Sequence, residues 1–182
     1  PDSRHRTDIV IGAHHLEIGT RSVALDDIEA VSYSTHRGHT NLVQQRIRRR
    51  IRLETPEGAL VLKLGEQRFG RHDGRRDAAV FDAIVRLLYE RVEPRLRRLR
   101  VEHLRTGGQL EFGSLRLAPE GISVEGIRRA TTWPWRSAPL AELRGDHVAL
   151  TEGGRDERVV WRVDATTPDA VMLPELLWSA SA

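Results

Sequence analysis

The sequence predicts a mainly β (α+β) protein that runs one plan twice, each time a set of short strands followed by a closing helix. Three observations carry this. Apolar residues alternate with polar ones in short runs separated by Gly, Asp and Pro, the period of half-buried strands. A helical apolar stripe replaces that pattern near the end of each pass, at Phe81, Ile84 and Leu88 and again at Val171, Leu173 and Leu177. Each pass also contains a polar corner and a hairpin before its helix. The passes cover residues 8–105 and 109–180 and are read as two domains, the first with a long C-terminal helix and the second smaller.

In the first pass, residues 9–11, 14–18 and 22–25 read as short strands, with a turn at Gly19-Thr20. Asp26-Asp27 makes a corner before a strand carrying Ile28, Ala30, Val31 and Tyr33. Residues 36–45 show neither period and read as a loop with its tip at Gly38. Residues 46–53 and 59–64 form the clearest hairpin, turning at Thr55-Pro56-Glu57-Gly58 with Pro and Gly where a β-turn favours them. Residues 65–77 are a polar loop, and Asp77 is the expected N-cap of the long helix. Its core face is Val80, Phe81, Ile84, Leu88, Val92, Leu96 and Leu99, and Gly107-Gly108 is its stop. Pro94 falls inside this pattern and should kink or split the helix over residues 90–93, because it removes a hydrogen bond and crowds the preceding turn.

The second pass opens with strands at 110–112, 115–117 and 122–124 and a turn at Pro119-Glu120-Gly121. Residues 131–135 are extended, since a residue before proline avoids the helical region. Residues 141–143 read as a corner. A second hairpin joins 147–150 to 159–163 around Glu152-Gly153-Gly154-Arg155. The closing helix spans 168–178, with Pro168 in its first turn and Pro174 constraining its middle.

Composition excludes several classes of function. With no cysteine, neither disulfides nor thiolate-bound metals are available. No apolar run approaches the roughly 20 residues of a membrane span. No basic-then-apolar leader precedes the first strand, so no signal peptide is read. The net charge is only +3 although the pI is about 10.1, because Lys63 is the single lysine among 29 basic residues. Arginine in place of lysine raises the pI without adding charge, and its codons are GC-rich, so this bias is read as codon usage rather than selection for phosphate. A nucleic-acid binder would show a clustered excess as well as a high pI.

The order of elements resembles the pleckstrin-homology-like (PH-like) fold, used twice. The sharper likeness lies in Phe112-Gly113-Ser114-Leu115-Arg116-Leu117, then Gly121-Ile122, then Trp135, following the Arg-rich, proline-interrupted segment Glu93-Pro94-Arg95-Leu96. This pattern is similar to bacterial PH-like proteins of uncharacterised function, and it covers most of residues 8–178. The resemblance implies two tandem PH-like barrels or bent antiparallel sheets, each closed by a C-terminal helix. It implies no catalytic residue, because its motifs are packing and turn motifs. Members often carry membrane-spanning segments; any such anchor would have to lie outside this stretch, and the protein itself is expected in the cytoplasm.

Catalytic chemistry finds little support in the linear sequence. There is no Gly-x-Ser-x-Gly, no Ser-x-x-Lys and no phosphate loop with a following lysine, so no catalytic residue and no cofactor is assigned. His14 and His15 would point to opposite faces of a strand, and His36 and His39 lack a third partner at ligand spacing, so no metal site is assigned. The best candidate is a ladder of arginines. Arg46, Arg48, Arg50 and Arg52 alternate on one strand face at about 7 Å intervals, opposite a face carrying Ile47, Ile51 and Leu53. They are candidates for anionic lipid headgroups or nucleic-acid phosphates. The competing reading is a solvated face neutralised by Glu54, Glu57 or Glu66. The equivalent hairpin of the second pass carries Glu152, Asp156 and Glu157 instead.

Trp133 and Trp135 are candidate partner contacts if their segment stays extended, with core packing as the alternative. The Arg-rich helix is expected to brace the two halves. The expected function is therefore non-catalytic binding or scaffolding of a protein partner or an anionic membrane surface, with nucleic-acid binding as the alternative. The oligomeric state is not legible.

Overall fold

A computed structural model describes residues 9–40, 44–65, 74–126, 130–152 and 158–181, with the side chains of 37–40, 44–46 and 74–75 excepted. In the first pass, β1 (Ile9–Ile11), β2 (His15–Ile18) and β3 (Arg21–Ala24) form one antiparallel sheet. A 3-10 turn at Leu25–Asp27 makes the acidic corner. β4 (Ala30–Thr40), β5 (Gln44–Glu54) and β6 (Leu60–Leu64) form a second sheet. A continuous helix follows, made of α1 (Gly74–Leu87), a π turn (Leu88–Val92) and α2 (Glu93–Arg105).

The second pass repeats the sequence of parts. β7 (Leu110–Phe112), β8 (Leu115–Ala118), β9 (Gly121–Glu125) and β10 (Ala130–Pro134) form one sheet, and a 3-10 turn at Trp135–Ser137 makes the corner. β11 (Leu140–Arg144), β12 (His147–Glu152) and β13 (Arg158–Asp164) form the other sheet. A 3-10 turn at Ala170–Met172 and α3 (Leu173–Ser181) close it. The protein is thus mainly β, with four small antiparallel sheets. Among the described residues no strand pairing joins one sheet to another, so neither half is a closed barrel.

Local chemistry accounts for most boundaries. The β5–β6 turn closes with Gly58 N–H on Thr55 O at 2.9 Å, Thr55 Oγ1 on Gly58 O, and φ +111° at Gly58. The long helix stops where expected. Gly107 N–H reaches Leu104 O and Gly108 N–H reaches His103 O, with Gly107 at φ +92°. These two bonds satisfy carbonyls that the helix end leaves free. Pro94 sits in the first turn of α2, immediately after the π turn, where Glu93 N–H bonds Leu88 O. The helix absorbs the proline by widening one turn rather than breaking.

Five expectations need correction. Residues 36–40 and 44–45 are strand rather than loop: β4 continues to Thr40, Gly38 pairs with Arg46, and the register runs to Thr40 opposite Gln44. Backbone bonds sustain this end of the hairpin without the apolar alternation that marks a buried strand. Residues 141–143 belong to β11; the corner lies earlier, at Trp135–Ser137. Asp77 is not an N-cap but sits inside the first turn of α1, where Oδ2 accepts from Gly65 N–H at 3.1 Å. Leu99 is 52% exposed, and Val101 and Leu104 hold the buried face of α2 instead. At about 100° per residue, Leu99 points some 140° away from Leu104. Pro168 precedes the closing helix, and Pro174 sits in the first turn of α3, where its missing N–H costs nothing. The turns expected at 153–155 and most of the loop at 65–77 lie outside the described residues.

The two passes share a single buried cluster. Leu16, Ile28, Val31, Ile51 and Leu53 from the first pack in the same core as Leu115, Ile122, Leu150, Met172 and Leu176 from the second. Phe81, Ile84, Leu88 and Leu96 of the long helix belong to it as well.

The seam between passes is held by β4, whose outer edge would otherwise be an open strand edge. Asp169 covers it: its N–H donates to Val31 O at 2.7 Å, and its Oδ1 accepts from Val31 N–H at 2.9 Å. Its Oδ2 takes both Arg100 Nε (2.9 Å) and Nη2 (2.7 Å) from α2. Further along the same edge, Thr35 N–H donates to Gly145 O at 3.1 Å. Arg100 also donates to Glu29 O, and Arg95 donates to the carbonyls of Leu25 and Ile28, so α2 clamps both halves as the Arg-rich segment was expected to do.

Asp169 is itself left-handed, at φ 61° and ψ 0°. Burial pushes its carboxyl above the usual range, and the Arg100 guanidinium and the Val31 N–H oppose that shift. Arg100 and Val31 thus oppose the desolvation without cancelling it, which makes each partner costly to lose. Replacing Asp169 by Ala is expected to lower stability by about 3–5 kcal/mol in urea denaturation, because it strands Arg100 and reopens the Val31 edge. A loss below about 1 kcal/mol would show that this seam carries little of the fold.

Candidate functional site

The outward face of the second sheet gathers the cations. Across β4, β5 and β6 the register sets Ser32 opposite Arg52, Ser34 opposite Arg50, and His36 opposite Arg48. On the other side of β5, Val61 lies opposite Arg52 and Lys63 opposite Arg50. Residues directly opposed in an antiparallel pair share a face, so Arg48, Arg50, Arg52 and Lys63 stand on one surface. Val31, Tyr33, Ile51, Leu53, Leu60 and Leu62 fill the opposite, buried one. The arginine ladder therefore exists as an outer face, with Ser32 and Ser34 as its short, buried low points. The Arg46 side chain lies outside the described residues; its backbone pairs with Gly38.

The four described cations are not equivalent. Arg52 Nε bonds Glu54 Oε1 at 2.6 Å, so this rung is neutralised, and by one of the acids expected to do it. Arg48, Arg50 and Lys63 have no ion pair among the described residues, and Arg48 and Lys63 are exposed. Arg50 is half-buried, and its Nε lacks a partner among the described residues. Arg50 and Lys63 are directly opposed like charges at a Cβ separation of about 5 Å, an arrangement that costs stability unless an anion lies over it. Lys63 was not singled out from the sequence. Counting back from the four-residue turn would have placed it beside Arg50, because the turn sets the register.

The tryptophans are anchored internally. Trp133 is 9% exposed on β10, and its Nε1 donates to Glu152 Oε1 at 2.7 Å. Trp135 leaves the strand at the start of the 3-10 turn, so the two rings do not share an extended segment. Its Nε1 donates to the carbonyls of Ala118 and Pro119, both at 3.0 Å. It also lines an open groove of about 280 Å³ with Val101, Leu104 and Ala180. Gly121, at φ +146°, lets β9 pass against the carbonyl of Trp133, where no Cβ would fit.

Among the described histidines only His36 and His147 meet, on the carboxylate of Asp146. His15 pairs with Glu17 at 3.2 Å along the same strand, β2. His36 Nδ1 meets Asp146 Oδ2 at 3.0 Å and His147 Nδ1 meets Asp146 Oδ1 at 2.8 Å. Hydrogen bonds from His147 and His36 hold Asp146 below the usual carboxylate range. The bridge links β4 to the β11–β12 turn and borders an open cleft of about 600 Å³ lined also by Thr35, Arg49 and Asp82. Among the described residues no three His, Asp or Glu side chains are grouped as a metal ion requires. His39 lies outside the described side chains.

One buried titratable pair has no sequence signature. Tyr33 Oη donates to Glu93 Oε1 at 3.1 Å, and Glu93 is 4% exposed. Burial pushes the Glu93 carboxyl up to about 7, against the lowering effect of the Tyr33 hydrogen bond. Burial likewise raises Tyr33, helped by the neighbouring Glu93 charge. Glu93 follows Val92 in a helix whose polar side reads as solvated, and it is enclosed only by elements distant in sequence, β4 among them.

The internal role of Trp133 is directly testable. Trp133→Phe keeps a smaller aromatic ring but removes the bond to Glu152 and some buried volume, and should lower stability by about 1–3 kcal/mol while leaving any binding to anionic surfaces unchanged. Intrinsic fluorescence during urea denaturation measures the first and vesicle sedimentation the second; an unchanged midpoint would show that the bond contributes nothing.

Comparison with known proteins adds no relative: no family model, no curated protein sequence and no solved structure matches the chain.

Proposed function

We propose that this chain is a non-catalytic binding protein of two PH-like halves that presents the outer face of β4–β5–β6 to an anionic surface on the cytoplasmic side of a membrane. The observation that carries this reading is the cluster of Arg48, Arg50 and Lys63 on adjacent strands, without an ion pair among the described residues. In this reading each half is an open PH-like unit, with two small sheets and a helix whose apolar stripe covers the core between them. The helix closes what the strands leave open. The rest of the design is scaffolding: the second half covers the β4 edge and leaves the basic face outward. An acidic face on a partner protein offers the same chemistry and is the next occupant to consider. A flat sheet face suits either better than a duplex, whose binders concentrate a larger excess of cations along a groove or stripe.

Each cation near an anionic leaflet contributes about 1 kcal/mol. The triple variant Arg48→Ser, Arg50→Ser, Lys63→Ser should therefore lose about a hundredfold in affinity for vesicles containing phosphatidylserine, and the loss should shrink at high salt. Glu54→Gln should act in the opposite sense, because it frees Arg52 and adds a cation to the face. Flotation with neutral and anionic vesicles, run beside duplex DNA and RNA, measures all three. Unchanged vesicle binding in both variants would sink the proposal, and a loss confined to nucleic acid would replace it with a nucleic-acid interface. If vesicles never bind and an acidic protein captured from the native cell releases on the triple substitution, the partner is protein.

A further inference from the structure

The seam along β4 contains a buried proton site that nothing in the basic face requires. We infer that the Tyr33–Glu93 pair is a proton-operated latch that holds the β4 edge closed against Asp169 and Gly145 and loosens it as Glu93 ionises. The geometry brings together three things. Glu93 is the residue at which the helix resumes after its π turn, so it sits at the one irregular point of the element that joins the halves. Its carboxyl reaches Tyr33, the residue between Val31 and Thr35 on β4. Those two flanking residues are the ones whose outward amides are taken by the second half, Val31 by Asp169 and Thr35 by Gly145.

The charges around Glu93 set the direction of the latch. Tyr33 faces it from β4, Glu175 from α3 and Asp169 from the turn before the 3-10 segment, while Arg97 lies on its own helix. Arg100 is committed to Asp169 and Glu29 O, which leaves Arg97 and the Tyr33 hydroxyl to favour an ionised Glu93. When Glu93 is neutral, the seam holds a buried hydrogen-bonded pair. When it is charged, three carboxylates from three elements crowd a poorly hydrated space and drive them apart.

The sign follows from linkage. The folded carboxyl titrates near 7 and a solvated one near 4.5, so the closed seam holds its proton more tightly. The stabilisation from Glu93 is complete below the solvated value and is lost as pH rises through 7.

Amide exchange followed by NMR tests this on the intact chain. Between pH 6 and pH 8, after correction for intrinsic exchange, the Val31 and Thr35 amides should open about tenfold more often, the ratio that the two titration points imply. The Ile51 and Leu150 amides, deep in the two central strands, should change little. Glu93→Gln should abolish the pH dependence at Val31 and Thr35. Tyr33→Phe, which removes the bond that favours the charged form, should move the transition to higher pH rather than erase it. Exchange at Val31 and Thr35 that is flat between pH 6 and 8, or that keeps its pH dependence in Glu93→Gln, overturns the latch. Equal acceleration at Ile51 and Leu150 overturns it as well, since Glu93 would then act on global stability alone.

Discussion

Asp169 is where the structure is tied. Its backbone N–H and one carboxylate oxygen complete the hydrogen bonds of Val31 as a further strand would, and its other oxygen receives Arg100 from the long helix. Three elements from distant parts of the chain therefore meet at one buried carboxylate. A sheet edge left open would be a template for pairing with other chains, so the second half protects the first as well as packing on it. The left-handed backbone of Asp169 is part of the same arrangement, because its N–H and its carboxylate must both face one strand. Aspartate tolerates that conformation better than most residues, which suits it to the position.

The long helix makes that junction workable. A straight helix with proline at position 94 would lose a bond and clash with the preceding turn. The π turn at Leu88–Val92 takes up the misfit and resets the face that α2 turns to the core. Glu93, Leu96, Val101 and Leu104 are buried as a result, while Arg95 and Arg100 reach back to carbonyls at the corner before β4. The arginines of this helix are thus divided by function. Arg95 and Arg100 hold the fold, and Arg91, Arg98 and Arg105 face solvent.

The two halves share a plan and differ in what they expose. The outer face of the first hairpin carries Arg48, Arg50 and Lys63, of which Arg50 and Lys63 repel each other directly. The corresponding part of the second half spends Glu152 on Trp133 and buries β12 on both sides, with Val148, Ala149, Leu150 and Thr151 all enclosed. That asymmetry favours division of labour: one half offers a charged surface, and the other supplies the covering that keeps its strand edge closed. The buried pair of Glu93 and Tyr33 lies behind the edge that this covering closes, apart from the charged surface.

Sequence alone determined the elements and the charge of their faces. Alternation marked most strands, the three-four spacing marked the helix, and Thr55-Pro56-Glu57-Gly58 set the hairpin register, because these signals act between neighbours a few residues apart. The arginine ladder was legible for the same reason, since a period of two decides the face without further information. Where signals depended on distant partners, they failed. The end of β4 near Gly38 has a strand's backbone bonds without an apolar pattern, Asp77 bonds Gly65 instead of capping its own helix, and Leu99 was displaced from the core by Val101 and Leu104. Only tertiary structure decided that Trp133 spends its N–H on Glu152 and that Glu93 is enclosed beside Tyr33. Burial and cross-chain hydrogen bonds are properties of what folds against a residue, and Tyr33 lies 60 positions from Glu93 and Val31 lies 138 from Asp169.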